Sequence, residues 1–344
     1  MQKAILKLLY KLALLLLPLA GILLLYIILD PFKVMRSYKT YMTPGKPQIV
    51  HLNKDYVSTE TFLNNYPIYH YDSYIFGNSR SMFYPVADWD SYIHSGKCFH
   101  FDAYKESLYG VYLKIKYLSG KQIPIKNALI VLDTNLLEVT GNSYVSANLY
   151  MKHPLLSGES RLFFQYQFIK AFCDLKFLIP YIDYKLTAKI RAYVRANDVF
   201  DENILGYDKV TNEETYIGYE QIIKHDSARF YKAQEKFFPQ NIIARTSIPV
   251  IKEKQKIMLA EIKKVFIADH TNYRIIVSPH YWQAQINPAD MEFLRALFGP
   301  GNVYDFSGTN FITTDKHNFY DGGHYRPQVA RYILSVAYST LPNH

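Results

Sequence analysis

The chain has 344 residues, of which 49% are hydrophobic and 20% are charged. These values are typical of a globular protein, and no repeat or low-complexity segment indicates a solenoid or disorder. The net charge of +9 is spread along the chain without a nucleic-acid motif, so a membrane surface or an anionic glycan is a better partner than nucleic acid. Cys98 and Cys173 are the only cysteines. Two cysteines exclude a scaffold built on several disulfides but allow one disulfide between them.

An uncharged apolar run, LALLLLPLAGILLLYIIL, covers residues 12–29 and is long enough to cross a bilayer as a helix. Lys3, Lys7 and Lys11 precede it, and the positive-inside rule keeps such a tail in the cytoplasm. The sequence therefore predicts a cytoplasmic tail (1–11), a transmembrane anchor (12–29) and an extracytoplasmic domain, periplasmic where a second membrane exists. The alternative is a cleaved signal peptide, whose apolar region is normally shorter and ends in small residues.

Residues 30–70 are polar and aromatic, and they are interpreted as a stalk that packs on a domain spanning 71–344. An irregular, aromatic-rich insertion is expected at about 136–248. Its apolar part, 161–184, carries charges that argue against a second span. That part is interpreted as a lid on the core or as a helix that lies on a membrane or docks a partner.

Hydrophobic periodicity in the rest of the domain alternates between strands and helices. The predicted strands cover 73–77, 97–101, 127–133, 273–279 and 302–306, and the predicted helices cover 85–94, 106–119, 251–270, 288–298 and 326–340. Such alternation predicts an α/β fold with a doubly wound, mostly parallel sheet, covered by helices on both faces. The reactive site of such a sheet lies at the carboxyl ends of its strands.

One candidate nucleophile follows the first strand, in the sequence Gly77-Asn78-Ser79-Arg80. Glycine permits a sharp turn there, and the hydroxyl of Ser79 could emerge at the head of a following helix. The backbone N–H groups and dipole of that helix would then stabilise an oxyanion. The alternative is that Asn78 or Ser79 only caps the helix.

A candidate base lies near the other end of the chain, where Asp321 precedes His324 by three residues ahead of the last helix. His324 could accept the proton of Ser79 while Asp321 orients the imidazole, as in hydrolytic triads. The alternative is that both are solvated loop residues.

The early Gly-x-Ser, the α/β alternation and the late Asp-x-x-His resemble the SGNH, or GDSL-type, hydrolase family over roughly 71–135 and 250–340. The resemblance implies a three-layer flavodoxin-like fold with Ser79, Asp321 and His324 as catalytic residues, and with Ser79 and Asn135 in the oxyanion hole. Asn78 and Arg80 depart from the family's first block. The second block, FHFDAYKES, lacks the glycine that would donate to the oxyanion.

With the anchor included, the chain resembles the SGNH-like proteins found beside membrane-bound O-acyltransferases. That likeness implies acyl transfer through Ser79 to a hydroxyl of an exported or envelope polysaccharide, or ester hydrolysis with water as acceptor, with the membrane-bound O-acyltransferase as partner. A catalytically inactive glycan-binding or scaffold module is the alternative.

Three further residues are candidates for substrate binding: Arg80, which could attract an anionic glycan or form a structural ion pair, and His280 and Trp282, which follow the strand at 273–279. The remaining histidines show no metal-ligand spacing with acidic residues, so no metal is expected. No cofactor is expected either.

Overall fold

A computed structural model describes residues 2–142, 149–195, 199–200 and 204–339, so Met1, parts of the predicted insertion and Thr340, the last residue of the predicted final helix, lie outside the described residues. The helices are α1 (Gln2–Leu29), α2 (Lys54–Tyr69), α3 (Val86–Ile93), α4 (Leu108–Gly120), α5 (Thr134–Glu138), α6 (Pro154–Ser157), α7 (Arg161–Cys173), α8 (Leu175–Thr187), α9 (Ala192–Arg195), α10 (Ile217–Ala233), α11 (Glu253–Ala268), α12 (Pro288–Phe298) and α13 (Pro327–Tyr338).

The strands are β1 (Ser73–Gly77), β2 (Cys98–His100), β3 (Asn127–Leu132), β4 (Gly206–Tyr207), β5 (Glu214–Thr215), β6 (Arg245–Thr246), β7 (Asn272–Val277), β8 (Ala284–Gln285) and β9 (Val303–Asp305). Five of them form the central sheet in the order β2-β1-β3-β7-β9, and every pair in it is parallel. Counted along the chain, this is the 2-1-3-4-5 order of flavodoxin-like sheets.

Side chains of the central strands alternate between two buried faces. Tyr74 and Phe76 of β1 pack with α4, α11 and α12 on one face, whereas Ile75 packs with α3, α10 and α13 on the other. Helices therefore cover both faces of a parallel sheet, and the predicted α/β class is confirmed.

The predicted elements of the two core regions agree with the structure to within two residues at most ends, because their burial follows the strand and helix periods that the sequence displays. The region from 136 to 248 is more regular than predicted: its described part is largely helical, with α6 to α10, and helix was expected only as one interpretation of residues 161–184. Helices α7 and α8 bury phenylalanines on one side only. The charged residues interspersed with these phenylalanines obscured the helical period of the apolar residues in the sequence.

Within the segment interpreted as a stalk that packs on the domain, residues 54–69 form helix α2, and the first half of this helix is buried. Phe62 of α2 stacks on Phe101 with ring centroids 5.0 Å apart and meets Phe99 edge-on at 5.6 Å. Asp55 of the same helix is buried and pairs with Lys114 at 3.3 Å and Lys152 at 3.4 Å. Mixed polar and aromatic composition resembles a linker in sequence, but here the buried charges are paired across elements.

Helix α1 is apolar and long enough to cross a membrane, and no other helix of the described chain meets that test. Most of its side chains are exposed, but Tyr26 near its end is fully buried in a third cluster, together with α7 and α8. Cys98 is buried and Cys173 is exposed, and both are free thiols.

We expect Phe62→Ala to lower the free energy of unfolding by about 3–5 kcal/mol, because Phe62 is 1% exposed in the sheet core. The matched control is Ile68→Ala on the same helix, where the side chain is 70% exposed and the cost should stay below about 1 kcal/mol. Denaturant unfolding of the full chain in detergent micelles measures both. Equal small losses would mean that α2 is a peripheral stalk after all.

Candidate active site

A sharp turn at the carboxyl end of β1 presents Ser79. Gly77 has φ of +154°, and a Cβ on it would lie 2.4 Å from the carbonyl oxygen of Val131 in the neighbouring strand. Only glycine tolerates that approach. The turn then closes with a hydrogen bond from the backbone N–H of Ser81 to the carbonyl of Asn78, at 2.9 Å. The strand end and the glycine together place Ser79 at the rim of the sheet.

The structure brings together Ser79, His324 and Asp321. The Oγ atom of Ser79 lies 2.8 Å from Nε2 of His324, and Nδ1 of His324 lies 2.8 Å from Oδ2 of Asp321. A carboxylate only accepts hydrogen bonds, so the neutral ring carries its proton on Nδ1 and leaves the Nε2 lone pair facing the hydroxyl. This is the geometry that a serine nucleophile and its general base require.

The loop ahead of α13 holds Asp321 in place. Its Oδ1 accepts hydrogen bonds from the backbone N–H groups of Gly323, at 2.8 Å, and His324, at 2.9 Å. Burial by itself raises the pKa of Asp321, but these bonds and the contact with the His324 ring outweigh it, so that the pKa lies below its usual range. Asp321 is thus ionised at neutral pH and able to stabilise an imidazolium.

A buried carboxylate at the end of β3, Asp133, supports the serine turn from the neighbouring strand. It accepts a hydrogen bond from Asn78 Nδ2 at 2.8 Å and forms an ion pair with Arg80. Burial raises the pKa of Asp133, but the Arg80 charge, the nearby His280 and the hydrogen bonds from Asn78 and the Leu136 N–H together outweigh it, so that the pKa lies below its usual value. Of the two alternatives for Arg80, the structure has the ion pair.

His280 and Trp282 lie beside this cluster in the loop after β7. The guanidinium of Arg80 lies 3.3 Å from Nδ1 of His280, and burial, assisted by the Arg80 charge, lowers the pKa of His280 to about 3. The Trp282 indole occupies the space that a side chain on Gly322 would need, with Nε1 only 2.1 Å from the Cβ position. Trp282 therefore packs against the Asp321–His324 loop and remains partly exposed.

A second set of serine, histidine and aspartate lies beneath the turn and has a different geometry. His100 Nε2 lies 3.0 Å from the Tyr84 carbonyl and Nδ1 lies 3.0 Å from Asp102 Oδ2, so both nitrogens donate and the ring is charged. Burial alone lowers the pKa of His100, but Asp102 outweighs it and raises the pKa. Ser81 contacts Asp102 at 3.0 Å, and all three side chains are fully buried. This set supports the turn from below.

The expected oxyanion donors are only partly assembled. Within the described chain no hydrogen bond occupies the backbone N–H of Ser79, which is free to donate. The N–H of Ala103, in the second block, is bonded to the Gly77 carbonyl at 3.2 Å. Asn135 is exposed in the first turn of α5, and the hydrogen bonds among described residues do not join it to Ser79 or His324.

One expectation about Ser79 was wrong: it does not head an α-helix. The turn leads into a 3-10 helix of three residues, Ser81–Phe83, and α3 begins only at Val86. So short a helix has a small dipole, so the charge of a developing oxyanion depends on individual N–H groups. Sequence reasoning missed Asp133 as a site residue, although its place directly after a buried strand was the available signal.

No protein-family model matches this chain, and no curated protein is significantly similar to it.

We expect Asp133→Ala to lower the free energy of unfolding by about 3–5 kcal/mol, because it leaves the Arg80 charge buried without its partner. The control is Asp88→Ala, which removes an exposed pair with Arg331 and should cost at most about 1 kcal/mol. Denaturant titration of both variants gives the difference. Similar costs for the two would contradict a supporting role for Asp133.

His280 should make the protein acid-sensitive. Its pKa is about 3 in the folded protein against an ordinary 6.5, so the unfolded chain binds more protons between these values and stability falls as pH drops through this window. Between pH 7 and pH 5 the wild type should lose about 2 kcal/mol more than His280→Gln, whose amide can still accept from Arg80. Unfolding free energies at both pH values measure this, and an equal loss in the two proteins would contradict the buried neutral imidazole.

Proposed function

We propose that the chain is a membrane-anchored, SGNH-like enzyme that performs serine-dependent acyl-ester chemistry on an envelope or exported polysaccharide. The observation that carries the proposal is the contact of Ser79 with His324 and of His324 with Asp321, both at 2.8 Å. Two segments 245 residues apart supply these groups. In this arrangement the aspartate fixes the tautomer, the histidine accepts the proton and the serine attacks. Two solvated loops that met by chance would not be expected to place the three groups in this sequence of contacts.

In the proposed reaction the Ser79 hydroxyl transfers its proton to His324 Nε2 while Oγ bonds to the acyl carbonyl carbon. The carbonyl oxygen gains the negative charge, and the free N–H of Ser79 donates to it. Collapse returns the proton from His324 to the departing alcohol and leaves an acyl group on Ser79. A sugar hydroxyl, or water, then gives its proton to His324 and bonds to the acyl carbon, and His324 returns that proton to Ser79 Oγ as the Oγ–acyl bond breaks.

Helix α1 supplies the membrane context of the proposal. We infer an uncleaved anchor with the lysine-bearing end in the cytoplasm, because Tyr26 is buried against Phe172 at a ring distance of 5.3 Å, a contact that cleavage after the helix would remove. An acyl group would reach the extracytoplasmic site from a membrane-bound O-acyltransferase partner. Trp282, exposed beside the Asp321–His324 loop, suits the stacking of a sugar ring at the acceptor side.

A binding module without catalysis is the second candidate. It is favoured by the incomplete oxyanion site, since the Ala103 N–H is already bonded to Gly77 and Asn135 is not joined to Ser79. Such a module would use the same rim to hold a glycan within an export complex.

The test is hydrolysis of p-nitrophenyl acetate, together with labelling by a fluorophosphonate probe, on the full chain in detergent micelles. Ser79→Ala should abolish labelling and lower hydrolysis by at least about 10³-fold, and His324→Gln should do the same, because each removes a group on which bond formation depends. The control is Ser91→Ala. Ser91 is an exposed serine of α3 whose hydroxyl donates to the Asp88 carbonyl and not to the triad, so this variant should match the wild type.

Labelling that persists in Ser79→Ala would remove the proposed nucleophile. A folded wild type that neither reacts with the probe nor hydrolyses the ester would favour the binding module instead. Circular dichroism and thermal unfolding establish that each variant is folded.

A further inference from the structure

Helix α7 carries an apolar stripe on the side that faces away from the protein. Leu162, Tyr166, Ile169 and Cys173 recur at intervals of four, three and four residues, which places them on one helical face. The opposite face, with Phe164, is buried. Leu162 is 84% exposed, and Ile169 lies half-buried at the edge of the stripe. A folded soluble helix normally turns polar side chains to that side.

Helix α8 repeats the pattern at the same spacing. Leu175, Ile179, Ile182 and Leu186 share one face, while Phe177 is buried on the other. Leu186 is 81% exposed, and Leu175 and Ile179 are also largely exposed. The two helices are joined at Asp174 and pack on each other through the same aromatic cluster, so the stripes belong to one helical hairpin.

The hairpin is continuous with the end of the proposed anchor. Tyr26 of α1 donates a hydrogen bond to Gln165 Oε1 at 3.3 Å and packs on Phe172. Ile22 and Leu29 of α1 contact the same cluster. At ~1.5 Å rise per residue, these contacts extend about 10 Å back along the apolar helix from its end. The hairpin thus lies at the depth where a spanning helix leaves the hydrocarbon.

Exposed lysines accompany the stripes. Lys170 of α7 and Lys185 of α8 lie in the last turns of their helices, and Lys189 follows α8. Long cationic side chains beside an apolar face are typical of helices that lie in the plane of a membrane, because the ammonium groups reach the anionic headgroups while the apolar face enters the acyl boundary.

We propose that the α7–α8 hairpin lies in the interfacial layer of the bilayer that α1 crosses, with its two apolar stripes in contact with lipid. The inference rests on the anchor role of α1 and is independent of the esterase proposal. A lipid surface fits better than a protein partner because the hairpin packs on the last turns of α1, which alone in the described chain is a helix long and apolar enough to span a membrane. The hairpin would then hold the catalytic domain at a fixed height and tilt over the membrane.

The experiment uses the full chain in nanodiscs with one copy per disc, labelled with an environment-sensitive nitrobenzoxadiazole dye. Cys173 is exposed on the stripe and Cys98 is buried, so the native protein is labelled at Cys173 without any substitution. Leu162→Cys and Leu186→Cys, each with Cys173→Ser, extend the scan. The control is Ile257→Cys on α11, where the native side chain is 62% exposed. Leu15→Cys in α1 reports on the span itself, and both of these variants also carry Cys173→Ser so that each has one accessible thiol.

Spin-labelled lipid should quench most of the fluorescence at Cys173 and at positions 162 and 186, with blue-shifted emission, and should leave position 257 unaffected. Quenching at position 15 with none at the hairpin would overturn the inference while the anchor stands. Absence of quenching at position 15 as well would overturn the anchor and the inference with it.

Discussion

One buried carboxylate, Asp133, governs the geometry of the candidate site. It neutralises Arg80 and accepts from Asn78, and these two residues flank Ser79 on either side. A hydroxyl in a surface turn would otherwise sample several orientations. Each orientation that points away from His324 would lower the effective concentration of the hydroxyl near its base. By tying both neighbours of the serine to the adjacent strand, Asp133 keeps the hydroxyl facing His324. The ionised state of Asp133 is maintained by the same arginine that it positions.

The parallel sheet explains how distant segments of the chain meet. Strands β1, β3 and β7 end at one rim, so the turn after β1, Asp133 after β3 and His280 after β7 converge there without special contacts. The loop ahead of α13 is then fastened to this rim, through Trp282 over Gly322 and through the hydrogen bond from Tyr281 to the Gly322 carbonyl at 3.2 Å. The helical hairpin and α1 belong to a separate cluster, so the apolar helix and the candidate site are built by different parts of the molecule.

The central sheet could be predicted from sequence because its strands are short apolar runs that alternate with amphipathic helices. The meeting of Ser79, Asp321 and His324 at one rim of the sheet could be predicted too, since each lies directly after a strand or before a helix. The buried helix α2 could not, because its buried Asp55 looks like a surface charge until its partners Lys114 and Lys152 are known. For residues 161–184 the sequence left a lid and a surface helix both open, since α7 and α8 each have two apolar faces interrupted by charges and therefore no single clear period.

The most direct test of the central claim is the mass of the peptide that contains Ser79. The full chain is mixed with an activated acetyl ester, the reaction is stopped after milliseconds, and the peptide is analysed by mass spectrometry. A serine activated by His324 and Asp321 should carry a single acetyl group in the wild type and none in His324→Gln. Acetylation confined to other residues, or equal acetylation of Ser79 in both proteins, would contradict the account.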